Sequence, residues 1–384
     1  AVGTSPSAKR VHCCTLEFDA RVSGRLFFGW WMMFRKTILI VLLGLTSQVR
    51  AGGEHDVVVD ALATGSETVF TSISDALSAA PGKVSGPYRI WIKNGVYREK
   101  LQINRPDVHL LGESREHVLV SWGDSGSTVG ADGSELGTWG SATLTVSAPG
   151  FRAENLTVEN AFDYPANAAL PDDDPDKVER MQAVALMTTG KSDRAVFKNV
   201  TIRGYQDTLF VDAGRHWFHG CRIEGHVDFI FGAGQAVFEQ CDIVSLNRAN
   251  KNPTGYVTAP STKASQDYGF LFLDSRFLKE EAVPAGSVRL GRPWHPGADP
   301  SVNGSAVFMR CYMDDHLGPE GYAPISGFNA AGERIWFEVD ENSRFFEYGN
   351  HGPGALDSPD RPRLNPEESG RYTVEHVLEG WNPD

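Results

Sequence analysis

The chain has 384 residues, 41% hydrophobic and 22% charged, the balance of a soluble globular protein with a large core. Its 36 Lys and Arg against 49 Asp and Glu give a formal net charge of -13, which excludes the broad basic surface that binds nucleic acid through its phosphates. In chain order, the first element is a leader. The run MFRK, then TILIVLLGLT, then SQVRA has the basic start, short apolar core and small-residue exit of a secretory signal peptide. Residues 1–32 read as an untranslated or disordered extension, 33–51 as the signal peptide cleaved near Ala51, and 52–384 as one folded domain. The apolar run from Thr37 to Leu45 is too short to span a bilayer, so the expectation is a secreted protein, extracellular or periplasmic, without a membrane span.

Next comes TSISDALSAA, Thr71 to Ala80, with a hydroxyl start, Asp75 in the first turn and Ile73, Ala76, Leu77 and Ala80 on one face, which predicts a helix closing one end of the fold. The middle of the chain repeats itself: AVFKNVTIRG from Ala195, HWFHGCRIEG from His216, AVFEQCDIVS from Ala236 and AVFMRCYMDD from Ala306, with FRAENLTVEN from Phe151 a looser copy. Phe197, Phe218 and Phe238 lie 21 and 20 residues apart, and the apolar positions after them alternate as in a half-buried strand. A period near 20 built from short strands predicts a solenoid, and the absence of a Leu/Asn ladder with helical returns argues against leucine-rich repeats. The fold expected is all-β, a single-stranded right-handed parallel β-helix with short terminal helices. Cys221 and Cys241 occupy equivalent places 20 residues apart, so a disulfide between adjacent coils is expected, with Cys311 left free.

MQAVALM, Met181 to Met187, reads as a strand with Gln182 at its mouth, 24 residues before Gln206. The pattern Gly-x-x-Asp-x-x-Phe then occurs twice, as Gly204, Asp207, Phe210 and as Gly225, Asp228, Phe231. Coils stack roughly 4.8 Å apart, so Asp207 and Asp228 should be neighbours, and two carboxylates so close cannot both ionise easily. LGRPWHP follows, with Arg292 and Trp294 on either side of a proline: a guanidinium to hold one carboxylate ionised and an indole to stack on a sugar. Long interruptions at Trp122 to Gly140, Asp163 to Arg180 and His295 to Gly304 mark loops on the solenoid wall, the middle one an acidic loop carrying Asp172, Asp173, Asp174 and Asp176. His216, His219, Cys221 and His226 do not make a metal site, because strand alternation sends His216 and His219 to opposite faces. At the far end, Asn365-Pro366 with Glu368 reaching back starts a helix expected to run to Gly380.

The pieces QAVAL, GYQDTL, VDFIFG and LGRPW together resemble the pectin methylesterase family, closest to its bacterial branch, and the likeness runs from about Val57 to Trp381. The resemblance implies a cofactor-free β-helix enzyme that demethylates homogalacturonan; a monomer is the expectation. It implies that Asp228 is the nucleophile, Asp207 the acid and then the base, Gln182 and Gln206 the oxyanion donors, and Arg292 the group orienting Asp228. Trp294, Phe231, Phe210 and Met187 would line the sugar subsite. Two departures stand out: His226 replaces the usual Thr two positions before Asp228, and Phe210 the usual Tyr. On an extended segment His226 and Asp228 would share a face, and a protonated ring there would add an acidic limb to the rate profile. Gly-x-Ser-x-Gly is absent, which disfavours a serine esterase. A thioesterase-like relative, or a β-helix that has lost catalysis and only binds carbohydrate, is the alternative reading. Methanol release, measured against new reducing or unsaturated ends, also separates the esterase from chain-cleaving pectin enzymes.

Overall fold

The computed structural model describes residues 55–383 apart from 83–85, 250 and 341, so the expected leader and its cleavage site lie outside the described residues. Three parallel sheets of 11, 8 and 7 strands run the length of the molecule. Each central coil contributes one short strand to each sheet, as in Ala195–Lys198, Thr201–Arg203 and Leu209–Val211, followed one coil later by Arg215–His219, Arg222–Gly225 and Val227–Gly232. This is a parallel β-helix. The registers pair Phe197 with Phe218, Phe218 with Phe238, and then Phe272 and Phe308. Their rings form a continuous internal stack with centroids 4.5, 4.8, 4.6 and 5.0 Å apart.

The corner between the first and second sheets repeats as well. Asn155, Asn199, Gly220, Gln240, Asp274 and Arg310 all have φ between 50° and 60°, the left-handed conformation that turns the chain sharply inward. The residue after each corner points into the core, and Leu156, Val200, Cys221, Cys241 and Cys311 are all buried there.

That placement overturns the expected disulfide. Cys221, Cys241 and Cys311 are free buried thiols. In-register parallel strands project equivalent side chains side by side, keeping Cβ atoms near the strand spacing of about 4.8 Å, whereas a bridge needs about 3.8 Å with the two sulfurs turned toward each other. Each thiol instead meets a carbonyl of the preceding coil: Cys221 Sγ lies 3.3 Å from Phe197 O, and Cys241 Sγ 3.3 Å from Phe218 O. Burial pushes the Cys311 thiol up to about 12 and that of Cys241 well above its ordinary value.

The terminal helices are shorter than expected. The first spans Ile73–Ser78, with Ser72 rather than Thr71 as its cap, accepting from the Asp75 N–H at 3.0 Å. At the other end the Asn365/Glu368 capping box forms, but the helix stops at Ser369 and a second single turn, Val374–Val377, begins on a new cap at Thr373. Gly370 and the fresh hydroxyl cap favour two turns over one continuous helix. No helix among the described residues is long and apolar enough to cross a membrane.

Candidate active site

The 7-stranded sheet carries the site. Its strands Leu186–Thr188, Leu209–Val211, Val227–Gly232 and Gly255–Pro260 put Met187, Phe210, Phe231 and Ala259 in one register row, with Leu186, Leu209 and Ile230 buried inside. The row forms its own apolar cluster with Ala142 and Val184, against which Trp294 packs. Phe210 and Phe231 stack at 4.2 Å, and the Trp294 ring meets Phe231 edge-on at 5.6 Å. All four residues expected to line a sugar subsite therefore meet in one patch.

Just before this row, the bridge between Gln206 and Val227 and the pairing of Leu209 with Ile230 bring Asp207 and Asp228 to equivalent places one coil apart. Both have left-handed backbones, φ 64° and 50°. Asp tolerates this better than most residues, because its short polar side chain bonds locally. The Asp207 N–H is taken by Val227 O at 3.0 Å. Its carboxyl is buried, and that burial, with the Asp228 charge beside it, raises its pKa well above the carboxylate range despite Arg292 and a bond from Gln206. Asp228 meets the Arg292 guanidinium through both oxygens, Nε to Oδ1 at 2.7 Å and Nη2 to Oδ2 at 2.5 Å. Arg292 is itself fixed by its N–H on Thr258 O at 3.0 Å and by the Tyr256 ring, 4.1 Å from the guanidinium. The two acids thus sit in opposite settings, one apolar and one paired with a fixed cation.

The glutamines are neighbours too, since the Ala183 N–H donates to Gln206 O at 3.1 Å. Only Leu186–Thr188 of the expected Met181–Met187 strand joins the ladder; Gln182 lies before it, its backbone oxygen accepting from the Gly126 N–H at 2.8 Å. Gln182 Oε1 is buried with no hydrogen-bond partner.

His226 departs from the expectation. The left-handed Asp228 and a register shift between Val227 and Ile230 break the alternation that would have put both side chains on one face. The His226 ring is fully buried, 4.3 Å from the Tyr164 ring and 5.6 Å from that of Tyr205, and burial, with Arg248 nearby, lowers its pKa to about 3. The acidic loop reads as a solvated turn: Asp172 pairs with Lys177 at 2.8 Å and is otherwise in water.

Three aromatic residues escaped the sequence reading. Trp139, half-exposed, meets Phe210 edge-on at 4.9 Å; Tyr256 caps Arg292; and Trp336, 58% exposed, lines the recess beyond it. Tyr256 follows Val227 by 29 residues rather than about 20, because an insertion lengthens that coil, so a search at the repeat period passes over it.

A family model described as Pectinesterase matches residues 56–380. Pectinesterase A of Dickeya dadantii is 44% identical over 356 residues, spanning 90% of this chain and 96% of that protein. The crystal structure of a pectin methylesterase in complex with a hexasaccharide has a TM-score of 0.83 at 44% identity, covering 87% of this chain and 99% of that one. The pectin methylesterase from Yersinia enterocolitica reaches 0.79 at 44% identity, covering 81% and 99%.

Proposed function

The chain belongs to the pectinesterase family, alongside its bacterial members, and from that premise we propose that it hydrolyses the methyl esters of homogalacturonan through a covalent intermediate on Asp228. The Asp228 carboxylate attacks the ester carbonyl carbon while Arg292 holds its geometry. The carbonyl oxygen becomes an anion to which the side-chain amides of Gln182 and Gln206 donate. As this adduct collapses, Asp207 gives its proton to the departing methoxide, and methanol leaves an anhydride on Asp228. Asp207, now ionised, takes a proton from a water whose oxygen attacks the acyl carbon. The bond to Asp228 breaks, the product acid loses its proton to solvent, and both aspartates return to their starting states. Trp294 offers the flat surface on which the sugar packs, held by the buried Phe231 ring that it meets edge-on.

The observation that carries this reading is the asymmetry of the pair: a buried carboxyl whose pKa is raised by burial beside a carboxylate bonded through both oxygens to one guanidinium. Attack needs an ionised group and departure of methanol a protonated one at the same pH. Methanol release from highly methylated pectin tests it: Asp228→Asn should fall by about 10³. Retention of more than a tenth of wild-type turnover would remove Asp228 from the role. The stretch at 33–51 supports a second proposal, export, tested by N-terminal sequencing of the mature protein, which should begin near residue 52.

A further inference from the structure

Gln182 precedes the ladder strand Leu186–Thr188, so residues 182–184 take their shape from the groups that bond their backbone. The Gly126 N–H donates to Gln182 O at 2.8 Å, and the Ala183 N–H donates to Gln206 O at 3.1 Å. The Val184 N–H donates to Ser141 Oγ at 3.1 Å, while Val184 O accepts from the Thr143 N–H at 3.0 Å. Gly126 and Ser141 lie near opposite ends of the wall loop between the strands Val118–Trp122 and Leu144–Val146. The same loop borders the amide: Gln182 Oε1 is buried, and a Cβ added to Gly126 would come within 3.3 Å of it.

One buried side chain ties both ends of that loop to the segment bearing Gln182. Asn160, the last residue of the strand Thr157–Asn160, donates through Nδ2 to Asp124 O at 2.9 Å, to Val184 O at 3.0 Å and to Ser141 O at 3.2 Å. Its Oδ1 accepts from the Phe162 N–H at 3.0 Å. With carbonyls on one end and an N–H on the other, only one orientation of the amide fits. Extending the register by one residue sets Asn160 beside Gly204 and Gly225, the glycines that open the two aspartate motifs. The amide therefore belongs to the coil whose turn is swollen by the insertion before Gln182, where a short turn cannot set the geometry.

We propose that Asn160 is a positioning residue for ester hydrolysis: its amide, with the Ser141 hydroxyl, clamps residues 182–184 so that the Gln182 donor is aimed before substrate arrives. The inference rests on the pectin-ester reading and deepens it. An oxyanion exists only during the reaction, so a donor that drifts costs kcat and leaves substrate affinity alone. A displacement of about 1 Å is enough.

Methanol release and amide hydrogen exchange of the full chain test it together. Asn160→Ala should lower kcat about tenfold and change KM by less than about twofold. Introduced into Gln182→Ala, whose donor is already gone, the same change should cost less than about twofold, because the two residues act as one unit. A tenfold loss in both backgrounds marks a general structural defect and overturns the proposal, as does a kcat that Asn160→Ala leaves unchanged. Asn160→Asp keeps the shape but cannot donate to the three carbonyls, so it should lose as much as the alanine variant; wild-type turnover there overturns the clamp. In exchange, the peptide covering 182–186 should open about tenfold faster in Asn160→Ala while the coil at 236–245 keeps its protection. Equal rates overturn the proposal independently of turnover. Should the Asn160 variants fail to fold, Ser141→Ala decides: its kcat loss must likewise vanish in Gln182→Ala. Wild-type protein that releases no methanol would sink the esterase reading, and the exchange rates would then judge the clamp by themselves.

Discussion

Asp207 and Asp228 place opposite demands on the folded chain. Burial raises the Asp207 pKa, so the contribution of its carboxyl to folding is complete below the unfolded carboxylate range and is lost as pH rises through the folded value. At neutral pH a neutral isostere removes that liability: Asp207→Asn should melt about 2 °C or more above wild type while losing about 10³ in turnover. Asp228→Asn strips Arg292, whose side chain is only 19% exposed, of a bidentate partner and should cost about 1–3 kcal/mol, seen as a lower urea midpoint. Equal shifts of the same sign would contradict the split environments. The aspartate pair was legible in the sequence because the repeat period carries it. The setting of His226 was not, since counting alternate residues presumes an extended backbone and Asp228 is left-handed. With its ring buried against Tyr164 and its pKa near 3, His226 stays neutral where carboxylate chemistry operates. Profiles of kcat/KM against pH for wild type and His226→Thr should therefore superimpose in shape; loss of an acidic limb in the variant would put the ring back in the catalytic field.

Among the elements, the repeated left-handed corner does the folding work that no single strand can. Gly220 holds the same corner as Asn155, Asn199 and Gln240, at φ 60°, and a Cβ added there would meet nothing within 4 Å. Gly220→Ala therefore isolates the backbone term, and a loss of about 1 kcal/mol is expected from denaturant unfolding with an unchanged m-value. A loss above about 3 kcal/mol would point to a clash instead. The strands were readable because Phe197, Phe218 and Phe238 recur with the coil. The antiparallel hairpin of Ile325–Phe328 and Arg334–Phe337, which bears Trp336, was not, since it lies outside the repeat and its apolar residues face the recess beyond Arg292 or solvent rather than a core. The fate of the cysteines was equally hidden: their spacing shows that they stack, but only the parallel direction of their side chains shows that they do not bond.

For the molecule as a whole, three buried histidines set the acid limit. Burial lowers His216 and His316 to about 4 and His226 to about 3. Each adds stability that is present above the ordinary imidazole value and lost as pH falls toward its folded value, by up to ~1.4 kcal/mol per pH unit for each proton that only the unfolded chain takes up. Urea midpoints should thus fall from about pH 6.5 downward, and replacing His316 by Gln should flatten the slope; an unchanged slope would mean that its proton is not released on folding. The strand order in all three long sheets steps from one coil to the next, while the C-terminal turn lies back across them, Val377 O accepting from Gln235 Nε2 at 3.0 Å and Leu378 O from Arg215 Nη1 at 3.4 Å. Pulled by its two ends, such a thread would surrender one coil at a time, each rupture releasing about 70 Å of slack. Fraying would start at the short helices. The strand that follows Asp207, Leu209–Val211, is fourth of seven in its sheet, so once the C-terminal turn had been peeled from Arg215 and Gln235, tension would reach the aspartates only after the outer coils had come away.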